Sequence, residues 1–264
     1  MTQALTPKNL VEGFLRAADP DPISVKSLLK VGELLGFSNN AIRVAISRLC
    51  AKELVVSDAR SCYRLTDKTF AISKFIERWR IGEDRVQPWQ GQWLCCHLPQ
   101  GMQRTERNQS QKSLTWHGFK NGLSGLYLRP DNLNLSITEL SKQLIDTGLT
   151  QQATLFRASD FSGEQTAHWP TLWDTRELES TYQELHDQLC ESYDHFHDIE
   201  PTKSLPESLI LGGNTLRALA LDPLLPQEMV DISLRQALTA MMIKYEQLCR
   251  TAWGEMIQKL EAES

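Results

Sequence analysis

The stretch Ser24–Asp67 reads SVKSLLKVGELLGFSNNAIRVAISRLCAKELVVSDARSCYRLTD. Ser24 is positioned to cap a first helix whose apolar residues are Val25, Leu28, Leu29, Leu34 and Leu35. Gly36 falls where a helix C-terminal glycine belongs, so the chain can turn sharply. Ser38 then offers a second N-cap. Ile42, Ala45, Ile46 and Leu49 recur on one face of the helix that follows. The opposite face carries Asn40, Arg43, Val44 and Ser47, with Asn39 and Arg48 at its margins. Two short β-prone runs come next, Leu54–Val56 and Cys62–Leu65, separated by the turn-forming Ser57–Ser61. Helix, glycine turn, helix and hairpin in that order predict a helix-turn-helix followed by a β-wing.

The polar face of the second helix suits a DNA major groove. Asn pairs bidentately with adenine, Arg with guanine, and Ser with either. Asn39, Asn40, Arg43, Ser47 and Arg48 are therefore candidate DNA-binding residues, and Arg60 at the wing tip is a candidate for phosphate or the minor groove. The alternative is a small helical domain whose polar face is merely solvated.

Charge is distributed unevenly. The chain has a formal net charge of -5. Residues 1–90 hold 14 Lys/Arg against 10 Asp/Glu, residues 91–159 hold 7 against 4, and residues 160–264 hold 7 against 19. A basic front and an acidic back would orient the protein on a polyanion. With 264 residues, two or three modest domains are expected. No apolar run approaches membrane-spanning length, and MTQALTPKNL lacks the pattern of a signal peptide, so a cytoplasmic protein with no membrane partner is expected. The six cysteines are scattered apart from Cys95-Cys96, and without a CxxC pair they read as core residues rather than a disulfide framework or zinc finger.

The pattern divides the chain into three parts, an α+β multidomain architecture. Residues 1–80 form the winged helix-turn-helix, opened by a helix from Thr6-Pro7 to Ala18 and closed by a helix from Thr66 or Asp67 to Arg80. Residues 88–160 alternate strands and helices, which predicts a ferredoxin-like α/β layer. Its strands are expected at 93–98, 125–130 and 152–157, and its helices at 103–121 and from Leu135 or Ser136 to Asp146. Residues 170–264 are expected to be a helical domain, with helices at 172–196, 205–221 and 227–262.

Five stretches in this order resemble the PaaX family of phenylacetic-acid-degradation repressors. They are AIRVAISRL with YRLTD, Trp89 and Trp93 as W-x3-W, WLCCHLP, GFKNGLSGLYLRPDNL and LRALALDPLLPQE. The resemblance implies a homodimer that binds double-stranded operator DNA, represses a catabolic operon and is released by an acyl-coenzyme A thioester. It also implies a central domain similar to the small CRISPR-associated ferredoxin-like nuclease. Such nucleases need a carboxylate near the end of the first strand. Here that position reads Leu98-Pro99-Gln100, which disfavours the alternative of a metal-dependent nuclease or hydrolase with a DNA-targeting domain. The DARS wing tip also departs from the basic wings usual in the family.

Other constellations are less specific. Arg104, Arg107 and Arg129 are candidates for the effector's phosphates, with a second contact to DNA backbone or plain solvation as the alternatives. Trp79, Trp89, Trp93 and Trp116 are expected to pack in the core or to line an aromatic pocket. His186, Cys190, His195 and His197 match no zinc spacing, and no metal, cofactor or catalytic residue is expected. There is no GxSxG, Walker A or dinucleotide fingerprint, so an enzyme is not expected. Leu234, Leu238, Met241, Met242, Tyr245 and Leu248 line a long C-terminal helix as either a dimer surface or an internal core.

Overall fold

The computed structural model describes residues 5–18, 22–58, 61–66, 75–161 and 168–262. The chain forms two compact units. One comprises Met1–Glu77, Leu185–Arg217 and Ala240–Ser264; the other comprises Arg78–Glu184 and Ala218–Thr239. The all-helical third domain expected at 170–264 is thus shared between the two.

The first unit begins with α1 (Pro7–Ala18), β1 (Ile23–Ser24), α2 (Val25–Leu34), α3 (Asn39–Ala51), β2 (Val55–Ser57) and β3 (Cys62–Leu65). The expected caps are in place. Ser24 Oγ accepts from the Ser27 amide at 3.0 Å, and Ser38 Oγ accepts from the Ala41 amide at 3.2 Å. Gly36 has φ 78°, the left-handed region in which a side chain is costly, and the turn between α2 and α3 depends on it. The hairpin forms with Val55 opposite Leu65 and Ser57 opposite Tyr63. Its sheet is completed by β1, a strand the sequence pattern did not indicate, paired antiparallel with β3. The expected helix from Thr66 or Asp67 lies largely outside the described residues; 75–77 are helical.

The core of this unit joins distant parts of the chain. Leu10, Phe14, Leu28, Val31, Ile42 and Leu49 pack with Phe196, Leu205 and Trp253. Phe14 meets Trp253 edge-to-face at 4.8 Å. Of the apolar residues expected to face inward, Leu28 is buried and Val25, Leu29 and Leu35 pack half-buried against the core; Ser27, Val31 and Gly32 are buried as well. Gly32 is buried because the two helices meet there. It lets α2 approach α3 so closely that a Cβ there would lie 2.4 Å from Ile42 Cγ1.

The second unit carries β4 (Trp93–His97), α4 (Arg104–Trp116), β5 (Lys120–Leu123), β6 (Leu126–Pro130), α5 (Ile137–Asp146) and β7 (Thr154–Ala158). The sheet order is β5-β6-β4-β7, and every pair is antiparallel. A β-α-β-β-α-β chain with the first and third strands central is the ferredoxin-like layout. α5 opens with a capping box between Ser136 and Glu139, as its S-x-x-E sequence suggests. The expected helix at 103–121 is too long. It stops at Trp116, Gly118 turns the chain at φ 78°, and Lys120–Leu123 becomes an edge strand. Phe119 between them is buried in the core.

Three further helices follow: α6 (Thr175–Asp194), α7 (Pro201–Ala220) and α8 (Ile232–Ala262). α7 begins earlier than expected because Pro201 suits the first helical position, and Pro206 is carried inside the helix. On α8, Leu238, Met242 and Tyr245 are buried, Leu248 packs into the first unit's core, and Tyr245 shares a hydrogen bond with Ser192 at 2.8 Å. These residues of the apolar stripe serve the interior of the chain. No helix among the described residues is long and apolar enough to cross a membrane.

Gly32→Ala tests the α2–α3 approach. Alanine gains about 1 kcal/mol of helix propensity over glycine. Overpacking against the fully buried, β-branched Ile42 costs about 1–3 kcal/mol. We expect a net loss of stability in urea unfolding; a gain would mean that Ile42 moves aside freely.

Candidate nucleic-acid interface

α3 divides cleanly into two faces. Ile42, Ala45, Ile46 and Leu49 are buried. Asn39, Asn40, Arg43, Val44, Ser47 and Arg48 are all exposed. The five polar residues predicted for DNA on this helix therefore share one solvent-facing surface. The burial of the apolar stripe fixes that orientation, because rotating the helix would drive four apolar side chains into water. The N-terminal end, where Asn39 and Asn40 sit, is anchored by the Ser38 cap.

The hairpin turn is built by Asp58. Its carboxylate accepts from the Cys62 amide at 3.0 Å, while its own amide donates to the Cys62 carbonyl at 2.9 Å. Arg60 lies outside the described residues. Arg64, which the sequence reading passed over, is exposed on β3 directly opposite the exposed Val56. Strand alternation could have found it. Tyr63 and Leu65 pack against the core, so the residue between them faces out.

The three arginines proposed for an anionic effector do not form one site. Arg104 is exposed and Arg107 half-buried, one turn apart on α4. Arg129 is only 2% exposed. Its guanidinium donates to the carbonyls of Pro130 (3.2 Å) and His117 and to Asn132 Oδ1 (3.1 Å). Burial pushes its pKa down to about 9, against the pull of Asp131 and Asp222, so it is charged at neutral pH. Arg129 is a structural cation and, contrary to the expectation from sequence, its guanidinium is not open to a phosphate from solvent.

Around it lies a wider buried network. Asn132 Nδ2 donates to the Leu224 carbonyl at 2.7 Å, and Asp222 Oδ1 accepts from the Leu224 amide at 2.6 Å. Tyr182 donates its hydroxyl to Asp222. Arg235, 1% exposed, grips Glu83 with two 2.8 Å bonds and donates to the Leu225 carbonyl at 3.1 Å. Burial alone would depress Arg235; the Glu83 hydrogen bonds and the charges of Asp222 and Glu83 outweigh it and raise its pKa. Such pairs tolerate burial because each charge is also hydrogen-bonded.

The tryptophans also regroup. Trp93 meets Trp89 at 5.5 Å and Trp169 at 5.6 Å edge-on, and stacks on Trp173 at 6.2 Å. Trp79 is fully buried with Arg80 over its ring at 5.2 Å, and Trp116 takes Lys112 over its ring at 4.7 Å. His186 lies beside Cys190, and His195 pairs with Asp198. Among the described residues no three His, Cys, Asp or Glu side chains gather to hold a metal.

Comparison with known proteins identifies the class. Residues 14–69 match the family model for PaaX-like proteins, and residues 86–169 match that for the PaaX protein central Cas2-like domain. Together these segments span more than half of the sequence. The chain belongs to the PaaX family, a family of transcriptional regulators. No curated protein matches it in sequence. Among solved structures it is similar to the uncharacterized protein Rv0674 from Mycobacterium tuberculosis, at 21% identity and a TM-score of 0.59. That alignment covers 93% of this chain and 99% of the other, and it speaks for a shared fold.

His117 makes the buried network sensitive to acid. Its Nδ1–H donates to the Ser113 carbonyl at 2.9 Å, and burial pulls its pKa down to about 4. The unfolded chain takes up this proton near pH 6.5. Between pH 6.5 and 4 the unfolded state therefore binds more protons, and stability falls as pH falls. We expect wild type to lose about 2–3 kcal/mol more than His117→Gln between pH 7 and pH 4.5. Equal losses in urea titrations would place His117 in a more hydrated setting.

Proposed function

We propose that this chain is a DNA-binding repressor that reads operator DNA as a homodimer. In this reading residues 7–65 are a winged helix and α3 is the recognition helix. The observation that carries the proposal is the surface of α3. Asn40, Arg43 and Ser47 repeat at helical spacing on its solvent side, and Asn39 and Arg48 flank them. These are side chains that discriminate base edges in the major groove. Arg64 on β3, with Arg60 four residues before it in the sequence, supplies the positive charge that phosphate contacts need. Two-fold symmetry would place two copies of α3 on half-sites of an inverted repeat, one or more helical turns apart.

The protein should show no nuclease activity. The nuclease alternative lacks a carboxylate at Leu98-Pro99-Gln100, and the described residues hold no metal-binding cluster. The test is a mobility-shift titration against duplexes selected from a randomised pool, with light scattering for the dimer. Arg43→Ala should weaken binding to a selected duplex by about 1–3 kcal/mol and relax base preference at one position per half-site. Unchanged affinity with intact folding would remove α3 from the interface. Cleavage of the duplex on adding magnesium or manganese would favour the nuclease.

An acyl-coenzyme A thioester remains the proposed effector, on the strength of family membership. Arg104 and Arg107 are the residues available for its phosphates; Arg129 is not. The ligand must bind the DNA-free state more tightly than the DNA-bound one. Calorimetry with acyl-coenzyme A thioesters should show affinity falling roughly tenfold or more in Arg104→Gln/Arg107→Gln, since hydrogen bonds to charged groups contribute about 1.5–3 kcal/mol each. Undiminished binding by that variant would move the site elsewhere.

A further inference from the structure

We propose that Val44 is a specificity residue that reads a thymine through its 5-methyl group. This inference rests on the reading of α3 as a recognition helix.

Val44 is 39% exposed, although it is a large apolar side chain on a helix with a fully formed core face. At 100° per residue it projects almost opposite the centre of the stripe formed by Ile42, Ala45, Ile46 and Leu49. It therefore sits in the middle of the polar surface, one turn beyond Asn40, beside Arg43 and Ser47. The fold does not ask for valine there. A β-branched residue loses side-chain freedom in a helix, and alanine would form the same turn more favourably. A single exposed valine is unremarkable on an ordinary surface. Here its neighbours are side chains that each donate to or accept from a base edge. The thymine methyl is the one major-groove feature they cannot recognise, because it neither donates nor accepts. Two valine methyls at the centre of the surface supply the apolar contact that is otherwise missing from the set. The expected half-site therefore has a thymine beside the base read by Arg43.

The experiment is a uracil scan. Wild-type protein selects tight-binding duplexes from a randomised pool, and each thymine of a bound half-site is then replaced singly by uracil. Uracil removes only the 5-methyl group and leaves base pairing unchanged. Wild type should lose about fourfold in affinity at one thymine per half-site, the value of one buried methyl group. Val44→Ala, with its helix content checked by circular dichroism, should bind thymine and uracil duplexes equally at that position. Wild type indifferent to every uracil would overturn the proposal while leaving DNA binding intact. So would Val44→Ala that keeps the same sensitivity. If no duplex is retained from the pool, the reading of α3 itself fails and the assignment of Val44 falls with it.

Discussion

The buried guanidinium of Arg129 holds the second unit together. It ties the end of β6 to the carbonyl of His117, where the chain turns out of α4, and to Asn132. Asn132 passes the connection on to the Leu224 carbonyl, ninety-two residues later. An unpaired charge at this depth would cost several kcal/mol, so the partners are obligatory. The backbone has adapted to the same constraint. A Cβ at Gly118 would stand 2.9 Å from Pro223 and 3.0 Å from Arg129, so only glycine lets these segments meet. Two blocks far apart in the sequence, GFKNGLSGLYLRPDNL and LRALALDPLLPQE, are therefore one structural feature.

Local signals were the legible ones. Ser24, Gly36, Ser38 and Ser136 act through groups three or four residues away, so their roles can be read from a short window. The apolar face of α3 was clear for the same reason. Lys120–Leu123 was not legible, because an exposed edge strand of Lys, Asn and Gly has no apolar alternation to announce it. On α2 the apolar residues mark the core side, but the closest approach to α3 falls at Gly32, which has no side chain for a hydrophobic pattern to register. At the candidate site, the exposure of Asn39, Asn40, Arg43, Ser47 and Arg48 followed from periodicity alone.

Charge was the least legible property. A count of residues treats every cation as surface. In the central segment Arg129 is enclosed, and Arg157 is committed to Asp131. What distinguishes a structural arginine from a binding one is the set of carbonyls and carboxylates around it. Those partners come from turns and from a segment some ninety residues away, and no window of sequence contains both.

The core beneath α2 and α3 includes Phe196, Leu205 and Trp253, so the first 77 residues cannot bury their own apolar surface. During synthesis these residues emerge well before Phe196, Leu205 and Trp253, the partners that complete their core. The ferredoxin-like sheet, contained within residues 93–158, can close well before Trp253 leaves the exit tunnel. α2 and α3 thus gain their full packing only after Trp253 has been made. A chain stopped before Trp253 would present α3 without the support that holds it in position.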